Sequence, residues 1–270
     1  MTKKERIKYA EQYGRQIRKY ERQFTKPVYS ALQSQINEYV KVLRQDGLEA
    51  AKRKLYDIDI NEKVGGVIKN LYKTVGLFYA NQEYGNLRSQ VKSVKGFGFN
   101  AEWVAELIRY FAMDLLSKAV LPISNTTREQ VRHILEQATN EGWGVDQTAR
   151  ALQSSELTLF RARLIVRTET AKAAFKGREM GRDKIEYETT NEWIAANDHR
   201  TRHAHRKVDG DVTESEFTVP IYRGDVKIGE EKMRSPGDPK ASKGNIINCR
   251  CTSAARIKFD ERGRPILKRV

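Results

Sequence analysis

The chain has 270 residues, with 50 Lys and Arg against 35 Asp and Glu, for a net charge of +15. That length supports one large domain or two modest ones around a real core, and shares of 39% hydrophobic and 31% charged residues exclude a disordered chain. No apolar run approaches the roughly 18 residues of a membrane-spanning helix, and the charged start Met1-Thr-Lys-Lys-Glu-Arg lacks the apolar stretch of a signal peptide, so synthesis in a cytosol is expected.

Ile7, Ala10, Tyr13, Ile17, Tyr20 and Phe24, spaced three and four apart, predict a first helix with one apolar face. The other face carries Lys8, Arg15, Arg18, Lys19 and Arg22, and Pro27 is expected to break or restart the helix. A basic face of this kind suits DNA, a partner or plain solvent; Arg15, Arg18, Lys19 and Arg22 are its candidate DNA contacts. A second stripe runs through Tyr29, Leu32, Ile36, Val40 and Leu43 until Asp46-Gly47 interrupts it, and a third through Val64, Ile68, Leu71, Val75 and Phe78. From Tyr84 to Phe99 the glycines 85, 96 and 98 break the period and predict a loop or hinge. Val104, Leu107, Phe111 and Leu115 restore it, and Pro122 is expected to close that segment.

Thr126-Thr127-Arg128-Glu129 has the spacing of a capping box and predicts a new helix start. Val131, Leu135 and Ala138 continue that helix to Gly142 and Gly144, and Val145, Ala149 and Leu152 make the short second arm of a helical hairpin. A further helix is predicted through Phe160, Leu164, Thr168, Ala171, Ala174 and Phe175, weakened at Gly177 and Gly181. From about residue 185 the period changes to two: Ile185, Tyr187, Thr189, then Phe217, Val219, Ile221, with a hairpin across Arg223-Gly224-Asp225. Ile247, Cys249, Cys251 and Ser253 read as one face of a last strand, and beyond Arg256 the charged chain reads as a mobile or docking tail. The expected fold class is α+β: a helical N-terminal region over 1–122, a small α+β domain with a short antiparallel sheet over 123–256, and a basic tail over 257–270.

The densest polar cluster runs from Trp193 through Asp198, His199, Arg200, Thr201, Arg202, His203 and His205 to Asp209-Gly210. Cys249 and Cys251, too close in sequence for a long-range disulfide, point to one side if they lie on a strand. With His205 and either Asp198 or His203 they can complete a tetrahedral zinc site; the alternative is a buried reduced pair beside hydrogen-bonded histidines. Arg167 and Glu169 do not face each other on a helix, so Glu169 is expected to meet Arg200 or Arg202 in a buried network. Pro236-Gly237-Asp238-Pro239 is turn chemistry, expected to pack over the histidines, with Arg250 facing away from the thiols.

Taken in order, Arg-Thr-Glu-Thr at 167–170, Trp-x4-Asp-x-Arg-Thr-Arg-x2-His at 193–205, Asp209-Gly210, Phe217, Pro-Gly-Asp-Pro at 236–239 and Asn-Cys-Arg-Cys at 248–251 resemble the phage head morphogenesis family, the Mu F-like minor head proteins. The resemblance covers about residues 125–256 and leaves the N-terminal helices outside. Its characteristic positions fall on Arg167, Thr168, Glu169, Trp193, Asp198, Arg200, Thr201, Arg202, His205, Asp209, Gly210, Cys249, Arg250 and Cys251. Phe175, where a polar residue is common, and the extra histidines 199 and 203 depart from the pattern and leave the metal ligands open. The resemblance implies a minor capsid protein of a tailed phage. Such a protein is made in the host cytoplasm, enters the procapsid interior in few copies near the portal, and has the portal protein, other head proteins and double-stranded DNA as expected partners, with no membrane.

No Gly-x-Ser-x-Gly and no phosphate-cradling glycine loop occurs, so a non-enzymatic role is expected. The alternatives are a metal-dependent hydrolase or nuclease, with Asp198, His203 and His205 activating water and Glu169 as base, or a non-specific DNA-binding module.

Overall fold

The computed structural model describes residues 1–91, 102, 104–106, 108–110 and 119–268. Helices α1 (Lys3–Arg53), α2 (Asn61–Arg88), α3 (Leu121–Asn140), α4 (Val145–Leu152) and α5 (Ser155–Asp183) precede β1 (Thr189–Ile194), α6 (His203–Lys207), β2 (Val212–Thr213), β3 (Phe217–Arg223), β4 (Val226–Met233), α7 (Lys243–Ile246) and β5 (Thr252–Ile257). The α+β class is as expected, and no helix among the described residues is long and apolar enough to cross a membrane. The chain divides into two compact units that are not contiguous in sequence. One comprises Met1–Tyr20, Leu71–Arg109 and Arg167–Val270, the other Glu21–Asn70 and Tyr110–Val166.

In the second unit, Tyr39, Val40, Leu43, Leu55, Ile60, Val131, Leu135, Ala149 and Leu152 share one core. Here α1 runs through Pro27 rather than stopping at it. An internal proline costs a helix about 3 kcal/mol, and the buried stripe of Phe24, Val28 and Leu32 outweighs this at roughly 1.5–3 kcal/mol per side chain. The interruption read at Asp46-Gly47 is a kink, with Gly47 at φ 80° and ψ 178°. The capping-box reading is corrected: α3 starts at Leu121 with Pro122 in its first turn, where a missing N–H costs nothing. Thr126 and Thr127 lie inside that helix, and their hydroxyls donate back to the carbonyls of Pro122 (2.9 Å) and Ile123 (3.3 Å). Thr127 also donates to Gln35 Oε1 at 2.9 Å, and the Gln35 amide donates to Ser124 Oγ at 3.1 Å, so this polar cluster is satisfied inside the core. Gly142 (φ 67°) closes α3, and Trp143 N donates to Ala138 O at 2.8 Å before α4 returns as the second arm of the hairpin.

In the first unit, α2 continues through Gly85 to Arg88, because Tyr84 and Leu87 are buried with Ile185 and Ile257. The hinge expected from Tyr84 is therefore absent up to Arg88; Gly96, Gly98, Leu107, Phe111 and Leu115 lie outside the described residues. Gly177 and Gly181 do not weaken α5, which runs on to Asp183; they are its contact points with the backbone of α2 at Gly76 and Ala80. Strand β1 pairs antiparallel with β2 on one side and β5 on the other. The predicted hairpin is β3–β4, closing Arg223 on Val226 with Gly224 at φ 60°.

Two C-terminal readings change. Cys249 and Cys251 precede β5 in an irregular segment instead of lying on a strand. Residues 257–268 are tied down rather than loose: Lys258 N donates to Glu188 O, Glu188 N to Ile266 O and Lys268 N to Glu186 O, at 2.8–2.9 Å. The turn between is held by Asp260, whose carboxylate accepts the Arg262 and Arg264 amides at 2.9 Å. Backbone pairing, invisible to composition, holds this basic segment.

Candidate functional site

Strand β1 delivers Trp193 into the core of the first unit, fully buried among Ala195, Ala204, Val208, Phe217, Met233 and both cysteines. Just past its end, Asp198 closes a turn on itself. Its Oδ1 accepts the Arg200 amide (3.0 Å) and the Thr201 hydroxyl (3.2 Å), while Thr201 N donates to Asp198 O at 3.0 Å. This accounts physically for the Asp-x-Arg-Thr pattern. The turn launches α6, with Arg202 at its N-cap and bonded to Ile247 O, and α6 places His205 inside the core at 1% exposure.

After α6 the chain returns through Asp209-Gly210. Asp209 Oδ1 accepts the Ala195 amide at 2.8 Å, and Gly210 N donates to Trp193 O at 2.9 Å. Gly210 sits at φ 91° beside the Arg6 guanidinium, a left-handed backbone that favours glycine. Arg6 also approaches Asp209 and Glu192, each at 3.5 Å.

The Asn248–Cys251 segment arrives opposite. Asn248 has a left-handed backbone (φ 61°); its N–H donates to Thr168 Oγ1 at 3.0 Å, and its Oδ1 accepts from Arg167 at 2.7 Å. Arg250 turns outward to a two-pronged contact with Asp198, one arm at 2.7 Å. With Arg250 directed there, Cys249 Sγ and Cys251 Sγ both face His205 Nδ1, at 3.6 and 3.4 Å. Among the described residues, His205, Cys249 and Cys251 are the one group of three or more His, Cys, Asp and Glu whose ligand atoms gather, all within 4.8 Å and all buried.

The remaining candidates are placed differently. Asp198 is held by Arg250 and the turn rather than joining the thiols, and His203 lies edge-on to Tyr222, with ring centres 5.0 Å apart. Glu169 meets neither Arg200 nor Arg202. It accepts from the Tyr72 hydroxyl at 2.6 Å and from Lys172 at 2.8 Å, because α5 turns that carboxylate toward α2. The Pro-Gly-Asp-Pro turn packs on α5 rather than over the histidines, with Gly237 (φ 89°) against the Ala171 carbonyl and Asp238 accepting the amides of Arg234 and Lys240 at 3.0 Å.

Arg178 is a residue that the sequence reading missed. It is buried, stands 4.8 Å over the rings of both Tyr13 and Tyr79, donates to Thr252 Oγ1 and Ser253 O, and forms part of the wall of a polar cleft of about 710 Å³. Its signal was present: Ala171, Ala174, Phe175 and Arg178 share the buried stripe of α5, which puts an arginine where an apolar residue belongs.

The electrostatics follow from this packing. The neighbouring Cys251 thiol holds Cys249 well below the ordinary thiol value with help from His205, while the Cys249 sulfur and burial push Cys251 well above it. Desolvation raises the Asp198 carboxyl, but the Arg250 guanidinium, the Arg200 amide and the Thr201 hydroxyl more than offset it, leaving it below its usual value. A carboxyl depressed by folding contributes stability above its unfolded pKa, and that contribution is lost as pH falls through the folded pKa. Asp198 is partly exposed, so the pair is worth about 0.2–1 kcal/mol. Arg250→Ala is expected to lower stability by that amount at neutral pH and by nothing once Asp198 is protonated, as read by denaturant midpoints along an acid series. An equal loss at every pH would place the role of Arg250 in packing.

The family model described as Phage Mu protein F like protein matches residues 129–254. No curated protein and no solved structure matches the chain. The matched residues, a little under half of the chain, span the Asp198–Arg250 contact, the thiol pair and all of α5, and over them the chain is similar to the Mu F-like phage head morphogenesis family.

Proposed function

We propose that the chain is a minor head protein working beside the portal of a tailed-phage head, with no catalytic step of its own, and that the basic face of α1 touches packaged DNA. The observation that carries this is the family match over residues 129–254, which makes it a phage head morphogenesis protein with other head proteins as partners. The finer reading draws support from charge. The net +15 suits a protein beside a polyanion, and Arg15, Arg18, Lys19 and Arg22 are all exposed, at i, i+3, i+4 and i+7 on α1. The polar residues of the family pattern support a structural role. Asp198, Arg250, Arg167 and Thr168 hydrogen-bond one another or the Cys-containing segment, tying elements together rather than lining an opening.

Cross-linking mass spectrometry of purified virions and empty heads, normalised to the portal protein, tests the reading. The expected result is a few copies per portal ring in both particles, cross-links to the portal, and nucleotide adducts on peptides carrying Arg15, Arg18, Lys19 or Arg22. Absence from particles would overturn the head role; presence without adducts would remove the DNA contact alone.

A further inference from the structure

We propose that His205 Nδ1, Cys249 Sγ and Cys251 Sγ bind one zinc ion, with a water molecule in the fourth position. This inference stands apart from the role in the phage head and rests on geometry. A tetrahedral zinc with Zn–S of about 2.3 Å and Zn–N of about 2.0–2.1 Å separates nitrogen from sulfur by roughly 3.6 Å. The two sulfurs lie 3.6 and 3.4 Å from Nδ1, which are the edges of such a tetrahedron.

Burial adds a second argument. His205 is 1% exposed and each cysteine 3%, and among the described residues the two sulfurs are the only hydrogen-bonding neighbours of His205 Nδ1. A thiolate pair enclosed without a cation is strongly penalised, whereas a divalent ion neutralises both charges. Soft thiolates with an imidazole select zinc over magnesium or calcium. On binding, both cysteines enter as thiolates and their protons leave to solvent.

The ligands are positioned before any ion arrives. Arg250, between the two cysteines, is drawn off to Asp198, which leaves both sulfurs on one side. Asn248, anchored by Arg167 and Thr168, sets the approach of the segment, and Arg202 on Ile247 O ties the start of α6 to it. These contacts act as the outer shell that orients metal ligands. No fourth His, Cys, Asp or Glu joins the group among the described residues, which leaves the last position to solvent.

The test is elemental analysis and zinc K-edge absorption on the full chain, purified under reducing conditions without chelator. The expected result is about one zinc per chain, with two sulfur scatterers near ~2.3 Å and nitrogen or oxygen near ~2.0–2.1 Å. His203→Ala should retain that content, while Cys249→Ser or Cys251→Ser should reduce it at least tenfold. If the serine variants fail to fold, cobalt substitution of the unaltered chain decides instead, since two thiolate ligands give sulfur-to-cobalt charge-transfer absorption. Under a tenth of an equivalent of zinc, with no uptake when zinc is titrated into the reduced chain, would overturn the proposal. So would bound metal with only nitrogen and oxygen neighbours.

Discussion

Trp193→Ala is expected to remove about 3–5 kcal/mol of stability from the unit that holds it, the range for emptying a fully enclosed large aromatic site. Trp193 is 0% exposed and makes edge-on contacts with His205 and Phe217, at ring-centre distances of 5.3 and 5.2 Å. The same core contains Val219, Met233, Ile246 and both cysteines, so the void would open against the thiol–imidazole group itself. Nothing around it is free to collapse: His205 is held by α6, and Phe217 begins the β3–β4 hairpin. Among the described residues the indole N–H has no partner, so Trp193→Phe removes an orphan donor while keeping much of the volume. That variant should cost less than about 1.5 kcal/mol. Urea midpoints followed by circular dichroism check both, and a Trp193→Ala loss below about 1 kcal/mol would mean that the site refills. The prediction bears on the motif, because it assigns this tryptophan a packing role and no chemical one.

Gly177→Ala is the second large effect, and its sign opposes helix propensity. On propensity alone, replacing a mid-helix glycine by alanine gains about 1 kcal/mol. Here a Cβ at 177 would fall on the Gly76 carbonyl oxygen of α2, and one at 181 on the Ala80 carbonyl oxygen. Neither neighbour is a flexible side-chain tip; both are helical backbone, so α2 and α5 must move apart. Overpacking of this kind costs roughly 1–3 kcal/mol, enough to reverse the propensity gain. The two positions are one turn apart and press on the same helix, so separation forced by the first substitution relieves the second. The double variant should therefore lose less than the sum of the singles. Gly85→Ala on α2 is the control: nothing lies within 4 Å of its Cβ position, and it should be neutral or stabilising by up to about 1 kcal/mol. Thermal or urea midpoints for the four variants decide the matter; a stabilised Gly177→Ala would show that the helices do not approach so closely.

The failures of sequence reading share a cause. Pro27, Gly85, Gly177 and Gly181 are helix breakers by intrinsic preference, yet each lies within a helix whose apolar stripe is buried, and burial at roughly 1.5–3 kcal/mol per large side chain exceeds their local cost. The false capping box arose because Thr126 and Glu129 have the right spacing while Pro122, upstream, already supplies the start. Glu169 was assigned to the arginines of the Asp198 loop because those charges are near in motif order; its actual partner, Tyr72, comes from a helix with no motif to mark it.

Periodicity, turn residues and motif order determined a good deal by themselves: the α+β class, the α3–α4 hairpin, the β3–β4 turn at Gly224, the basic face of α1, and the likeness to the Mu F-like family through residues 167–251. These are local properties, set by spacing along the chain and by the backbone freedom of single residues. Only the tertiary structure decided that Met1–Tyr20 groups with the C-terminal block, that Arg178 lies buried against Tyr13 and Tyr79, that Arg250 turns to Asp198, and that neither His203 nor Asp198 joins His205 and the two thiols. Each of those pairings joins segments far apart in sequence. Which distant polar group satisfies which is settled by the packing of the elements that carry them, and no pattern within one segment contains that information.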